Sequence, residues 1–166
     1  MEDRIYFAHT VNSYNTDLER RLLMLIQNFF GVEIENPNQP HHQLGYRAYK
    51  IKYEDHPTKS GMDYFYEEVL PRCNMCICQI FLDRKWGAGV AHEAAFFLAL
   101  DQPVWIIDPD THKIRLITEE EKELILDKDP SLVLSIEETR FRIWGGKEPY
   151  SEAVPYGRAH LLEYKD

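Results

Sequence analysis

Short apolar runs recurring between helix-patterned segments constrain this chain more than any other feature. "RIYFAH" (Arg4 to His9), "VEIEN" (Val32 to Asn36), "MCICQIFL" (Met75 to Leu82) and "PVWIID" (Pro103 to Asp108) have the length of strands. After the first run, Leu18, Leu22, Leu25, Ile26 and Phe29 recur at helical spacing. Thr16 with Glu19 three residues on predicts a capping box, and Gly31 a stop. A helix is predicted from Ser60 or Gly61, closed near Pro71, and another over Val90 to Leu100. The stretch "PNQPHHQLGYRAYKIKYEDHPTKSG" is too long for an ordinary connection. It reads as a site-covering loop with a short helix over Tyr46 to Lys52. Strands alternating with helices specify an α/β fold whose parallel sheet is covered on both faces. Right-handed crossovers then give a Rossmann-like, three-layer α/β/α sheet of four to five strands in the flavodoxin-type order, 2-1-3-4.

The second half extends this pattern. "KIRL" adds a short strand, Thr118 to Leu126 a capped helix, and "PSLVLSIEETRFRIW" a last strand or strand-helix pair. At 166 residues the chain is expected to be one domain, 1–166, with 145–166 as a C-terminal tail draped over a surface. That tail carries Tyr150, Tyr156, Leu161, Leu162 and Tyr164, apolar enough to predict a homo-oligomer.

Charge and composition exclude several classes. A net charge of −9 with no basic stripe argues against nucleic acid as a partner, while a local site for a small nucleotide remains open. No apolar run approaches the ~20 residues of a membrane span, and Met1-Glu2-Asp3-Arg4 is no signal n-region, so no membrane partner and a cytoplasmic location are expected. Cys73, Cys76 and Cys78 lack the second cysteine pair of a zinc site and sit in an apolar run. They read as small hydrophobic residues, with no metal.

In a sheet of this order, ligands bind beyond the carboxyl ends of the strands, where the strand order reverses. The loops flanking that point contain Tyr6 to Tyr14 and Asp83 to Glu93, the stretches richest in reactive groups. "WGAGVAHE" is neither a dinucleotide fingerprint nor a P-loop. Gly87 and Gly89 nevertheless permit close backbone approach to a phosphate, carboxylate or sugar hydroxyl at a helix start. Glu93 admits two readings. In the first turn of its helix it would stabilise the dipole by about 0.3–1 kcal/mol, and in a cleft it would be a reactive carboxylate. His92 points roughly 100° away from it on a helix, so the two form no simple dyad. His9, His41, His42 and His56 fall in loops, each ordinarily a solvated residue, with His9 nearest the expected site.

"IYFA" at the first strand, "GMDYFY" and "D…GAGVAHEAAFFLALDQPVWII" together resemble the nucleoside 2-deoxyribosyltransferase family and its nucleotide N-glycosidase relatives, over roughly Arg4 to Asp108. The resemblance implies Glu93 as nucleophile and Tyr6 as the aromatic hydroxyl beside it. It also implies Asp83 as a carboxylate near base or sugar, and Asp63 as general acid/base. An oxocarbenium-like state at an N-glycosidic bond suits such a carboxylate, which can stabilise or trap it. Trp86, Tyr14 and Phe65 are candidates to stack on the base, and His9, Gly87 and Gly89 to bind substrate. No cofactor is expected.

The expected activity is therefore deoxyribosyl transfer to another base, or hydrolysis, on a nucleoside, deoxynucleoside or nucleotide. The rival is a non-catalytic nucleotide-binding or sensing module on the same fold. A phosphoryl-handling enzyme fits less well, because the expected cleft holds Arg84 and Lys85 as its only cations.

Overall fold

The computed structural model describes residues 2–144. The tail 145–166, and the oligomer expected from it, lie outside the described residues. Five strands form one sheet: β1 (Arg4–Ala8), β2 (Glu33–Glu35), β3 (Met75–Gln79), β4 (Val104–Ile107) and β5 (Ile114–Leu116). Their order is β2-β1-β3-β4-β5. The first four run parallel, with Tyr6 opposite both Glu35 and Cys76, whereas β5 returns antiparallel to β4. The flavodoxin-type order is thus present with one antiparallel edge, because only six residues separate β4 from β5, too few for a crossover.

Alternation along the strands divides the core between two faces. Ile5, Phe7, Ile77 and Ile107 meet Leu18, Leu22 and Ile26 of α1 (Asp17–Phe30). Tyr6, Ala8, Cys76, Cys78, Val104 and Ile106 meet Ala91, Ala94, Phe97 and Leu98 of α3 (Ala88–Ala99), together with Phe65, Val69 and Leu70. Helices therefore cover both faces, giving three layers. All three cysteines are free and buried, as small apolar residues would be. No helix among the described residues is long and apolar enough to cross a membrane.

Several local expectations shift. Thr16 accepts a hydrogen bond from the Glu19 amide and Gly31 (φ 62°) ends α1 in the left-handed region. The Glu19 carboxylate does not close the box; it turns to His9, the Asn15 amide and Asn38. Helix α2 spans Pro40–Lys52, six residues earlier than expected, because Pro40 occupies its first turn, where no amide partner is needed. The segment after Gly61 is no regular helix but a wide π turn, Phe65–Val69, followed by a 3₁₀ turn, Leu70–Arg72. Thr118 and Glu121 do form a full capping box at α4 (Glu119–Leu126). Val133 makes a single parallel bridge with Trp86 before α5 (Ile136–Trp144), a strand-helix pair in its shortest form.

Candidate functional site

A cavity of about 640 Å³ opens at the carboxyl end of β1, beside β3, where the strand order reverses. That volume falls within the ~300–1,000 Å³ usual for small-molecule sites. Tyr6, His9, Thr10 and Tyr14 come from β1 and its loop, Gly87, Gly89, Val90 and Glu93 from α3 and the residue before it. Helix α2 contributes Gln43, Tyr46, Arg47 and Lys50, the following segment Met62 and Phe65, and α5 Thr139 and Ile143. The long connection does cover the cavity, but as a three-turn helix.

At its inner wall the Tyr6 hydroxyl donates a hydrogen bond to Glu93 Oε2. Both side chains are buried, at 1% and 8% exposure. Burial pushes the Glu93 carboxyl from its ordinary 4.5 up to about 7, against the Tyr6 hydrogen bond, which lowers it. Burial and the Glu93 charge drive the Tyr6 hydroxyl well above its ordinary range, so it stays a donor. Tyr14 and Tyr66 are raised by the same two causes, burial first.

Glu93 is not a helix-dipole residue. Helix α3 starts at Ala88, so Glu93 stands in the second turn and no acidic residue occupies the first. The start is fixed from a distance, the Ala88 amide donating to Thr139 Oγ1 at 2.9 Å. With the favourable dipole contact absent, burial of Glu93 lacks that structural compensation.

His9 is buried in the cavity wall. Its Nδ1 bonds the Phe7 carbonyl at 3.0 Å and its Nε2 meets Glu19 Oε2 at 2.7 Å. A carbonyl only accepts, so Nδ1 carries a hydrogen. Burial raises the Glu19 carboxyl, but hydrogen bonds from His9, the Asn15 amide and Asn38 outweigh it, leaving a net lowering. The ring also stacks on Phe7 at 3.9 Å and lies 4.9 Å from the Tyr14 ring. His9 is thus held on both nitrogens, its side chain wholly buried against Phe7 and Tyr14.

The other expected site residues divide. Tyr14, Phe65, Gly87 and Gly89 border the cavity; Asp63, Asp83 and Trp86 do not. Asp63 accepts the Ser60 amide at 2.7 Å and opens the turn there. Asp83 takes a two-point contact from Arg142, at 2.9 and 2.6 Å, which holds its carboxyl below the ordinary range. The Trp86 ring is fully buried in the core, while its backbone bonds Leu132 and Leu134. Arg84 faces Asp108 and Asp110, and Lys85 the Ser131 carbonyl. Among the described residues, the cations lining the cavity are instead Arg47 and Lys50, whose segment shows only a weak helical pattern in sequence. A signal for them existed in their spacing of three, one face of a helix.

Of the groups able to hold a metal, Glu35, His41 and His42 bring ligand atoms within 4.8 Å of one another. The Glu35 carboxylate is already engaged by Arg4 and by His42, each at 2.7 Å, and His42 Nδ1 lies 3.1 Å from the Tyr64 hydroxyl. Glu35 and His42 thus belong to a buried polar network tying β2 to α2, while His41 is exposed beside it.

Fold and site together define a small α/β protein with a buried carboxylate–tyrosine pair at the switch point of its sheet. No protein-family model matches the chain, and no curated protein or solved structure matches it significantly.

Proposed function

We propose that this chain is an enzyme acting on the N-glycosidic bond of a nucleoside or nucleotide, with Glu93 as nucleophile, as the resemblance to nucleoside 2-deoxyribosyltransferases implies. The observation that carries this reading is the buried Tyr6–Glu93 pair in the wall of the cavity. A carboxyl near pH 7 is substantially ionised at neutral pH yet poorly solvated, which favours attack on an electron-poor anomeric carbon. Glu93 forms an ester to C1′ as the C1′–N bond breaks. The base leaves with the bonding pair and takes up a proton from water. Water, or a second base, then attacks C1′ and restores the carboxylate. Tyr6 orients the attacking oxygen, and Tyr14, Tyr46 and Phe65 provide aromatic faces for the base.

One observation favours the non-catalytic reading. Glu93 is the single carboxylate among the described lining residues, so no second carboxyl stands ready as acid. Turnover separates the two. Incubation with a panel of nucleosides and nucleotides should release free base, and Glu93→Gln should lower the rate on the order of a thousandfold. A 2-fluoro-arabinosyl substrate should leave one sugar on the Val90–Leu100 peptide by mass spectrometry. Undiminished release in the variant, or an adduct elsewhere, rules out the nucleophile.

A further inference from the structure

We infer that the site takes an N-glycoside whose base is a cation, a pyridinium or an N-alkylated purine, in preference to one whose base is neutral. This rests on the proposed glycosidic reading for bond cleavage, but not for binding. The described lining residues combine one buried carboxylate, Glu93, with the aromatic rings of Tyr6, Tyr14, Tyr46 and Phe65. A carboxylate attracts a flat organic cation by charge, and aromatic faces attract it through the ring quadrupole. Arg47 and Lys50 also line the cavity, but both are exposed, where water and salt screen their charge. Glu93 lies in the buried wall, where screening is weak.

The proton donors of the lining point the same way. A neutral base leaves as an anion and calls for an acid, yet the described lining residues hold no second carboxyl and no free imidazole. Both nitrogens of His9 are engaged, by the Phe7 carbonyl and by Glu19. The Tyr6 hydroxyl is committed to Glu93, and burial drives it and Tyr14 above the ordinary tyrosine range. Thr10 donates to Asn12, and Thr139 to the Ser135 carbonyl. Arg47 keeps its proton, and Lys50, being exposed, lacks the burial that makes lysine an acid near neutral pH. A cationic base needs no acid. The C1′–N bond breaks with its electron pair moving onto the ring nitrogen, which cancels the charge of the ring, while Glu93 forms the ester to C1′. Carboxylate and cation thus become two neutral species, a step that a poorly solvated cavity favours. Water then adds its oxygen to C1′, the carboxylate departs, and the spare proton goes to solvent.

The test measures binding to the full chain by calorimetry, with the 1-methylnicotinamide cation and neutral nicotinamide as probes that hold no glycosidic bond. The cation should bind about tenfold or more tightly, and Glu93→Gln should erase that preference. Base release above the uncatalysed rate is then followed for nicotinamide riboside and 7-methylguanosine, beside guanosine, inosine and uridine as neutral counterparts. At least one cationic substrate should exceed every neutral one in kcat/KM by about a hundredfold or more, the lower end of what a general acid contributes, and which one does so identifies the base. Equal affinity for the two probes, or a preference that survives Glu93→Gln, overturns the inference. Neutral nucleosides cleaved as efficiently as the cationic ones overturn it too, and keep the glycosidic reading. A Glu93-dependent preference for the cation with no base released from any substrate keeps the cation site and removes that reading.

Discussion

Burial raises the Glu93 carboxyl from its ordinary 4.5 to about 7, while the hydroxyl of Tyr6 works in the other direction. These opposed effects make the pair testable through pH. If the ionised carboxylate attacks, kcat/KM for base release should climb with pH and level off above about 7. Tyr6→Phe removes the lowering contribution and leaves burial in place. Its profile should therefore inflect at higher pH, with a lower plateau because the carboxylate is no longer oriented. A pH profile with the wild-type inflection in the Phe variant would show that the hydroxyl only packs. Neither the burial nor the partner of Glu93 could be read from "WGAGVAHE". The sequence places a carboxylate near a helix start, and whether it falls in the first or second turn depends on Thr139, which holds the Ala88 amide from fifty-one residues further along the chain. Glu19 is a similar case. Its spacing from Thr16 reads as a capping box, but the carboxylate serves His9 instead.

Helix α2 and the segment after Gly61 interlock through two glycines. A Cβ on Gly45 would meet the Tyr64 ring at 2.5 Å, and one on Gly61 the Tyr46 ring at 2.6 Å. Tyr46 lines the cavity, so Gly61→Ala should both destabilise the fold, by ~1–3 kcal/mol as overpacking does, and weaken ligand binding. Gly89→Ala is the contrasting case, since its Cβ would meet nothing within 4 Å and alanine favours the helix by up to ~1 kcal/mol. Because Gly89 borders the cavity, that variant should melt no lower than wild type yet show a raised KM. A melting curve and a substrate titration on the two variants should therefore give opposite stability effects with the same direction in binding. The elements themselves were legible where pattern was strong. The four parallel strands follow from apolar runs, and α1 from its leucine stripe with Thr16 and Gly31 at its ends. Legibility failed where local cues were weak. Pro40 starts α2 without a side-chain cap, and its length brings Gln43, Arg47 and Lys50 over the cavity. The reach of Asp63 and Asp83 could not be judged without knowing that Ser60 and Arg142 already hold them.

At the scale of the whole molecule, a carboxylate buried for chemistry should be visible in the pH dependence of stability. The folded Glu93 holds its proton up to about 7, while in the unfolded chain it releases it near 4.5. Between those values the unfolded state gains by ionising, so stability falls as pH rises and stays lowered above the folded pKa. The shift corresponds to ~3 kcal/mol, since one unit is about 1.4 kcal/mol. Other groups act in or near the same window. Burial lowers the pKa of His42 despite its contact with Glu35, so its contribution is lost as pH falls below the ordinary histidine range. Asp83, held down by Arg142, and Asp108, lowered to about 2 chiefly by the Thr111 amide, lose theirs only in stronger acid. A wild-type curve alone therefore mixes opposing slopes. The difference between wild type and Glu93→Gln cancels them, because the other groups are common to both. Urea unfolding of the two proteins at a series of pH values should show the variant gaining on wild type from about pH 4.5 upward. The gain should approach ~3 kcal/mol by about pH 7 and remain constant beyond it. A difference independent of pH would mean that Glu93 ionises in the fold as it does in water, which would remove the physical basis for its role as a poorly solvated nucleophile.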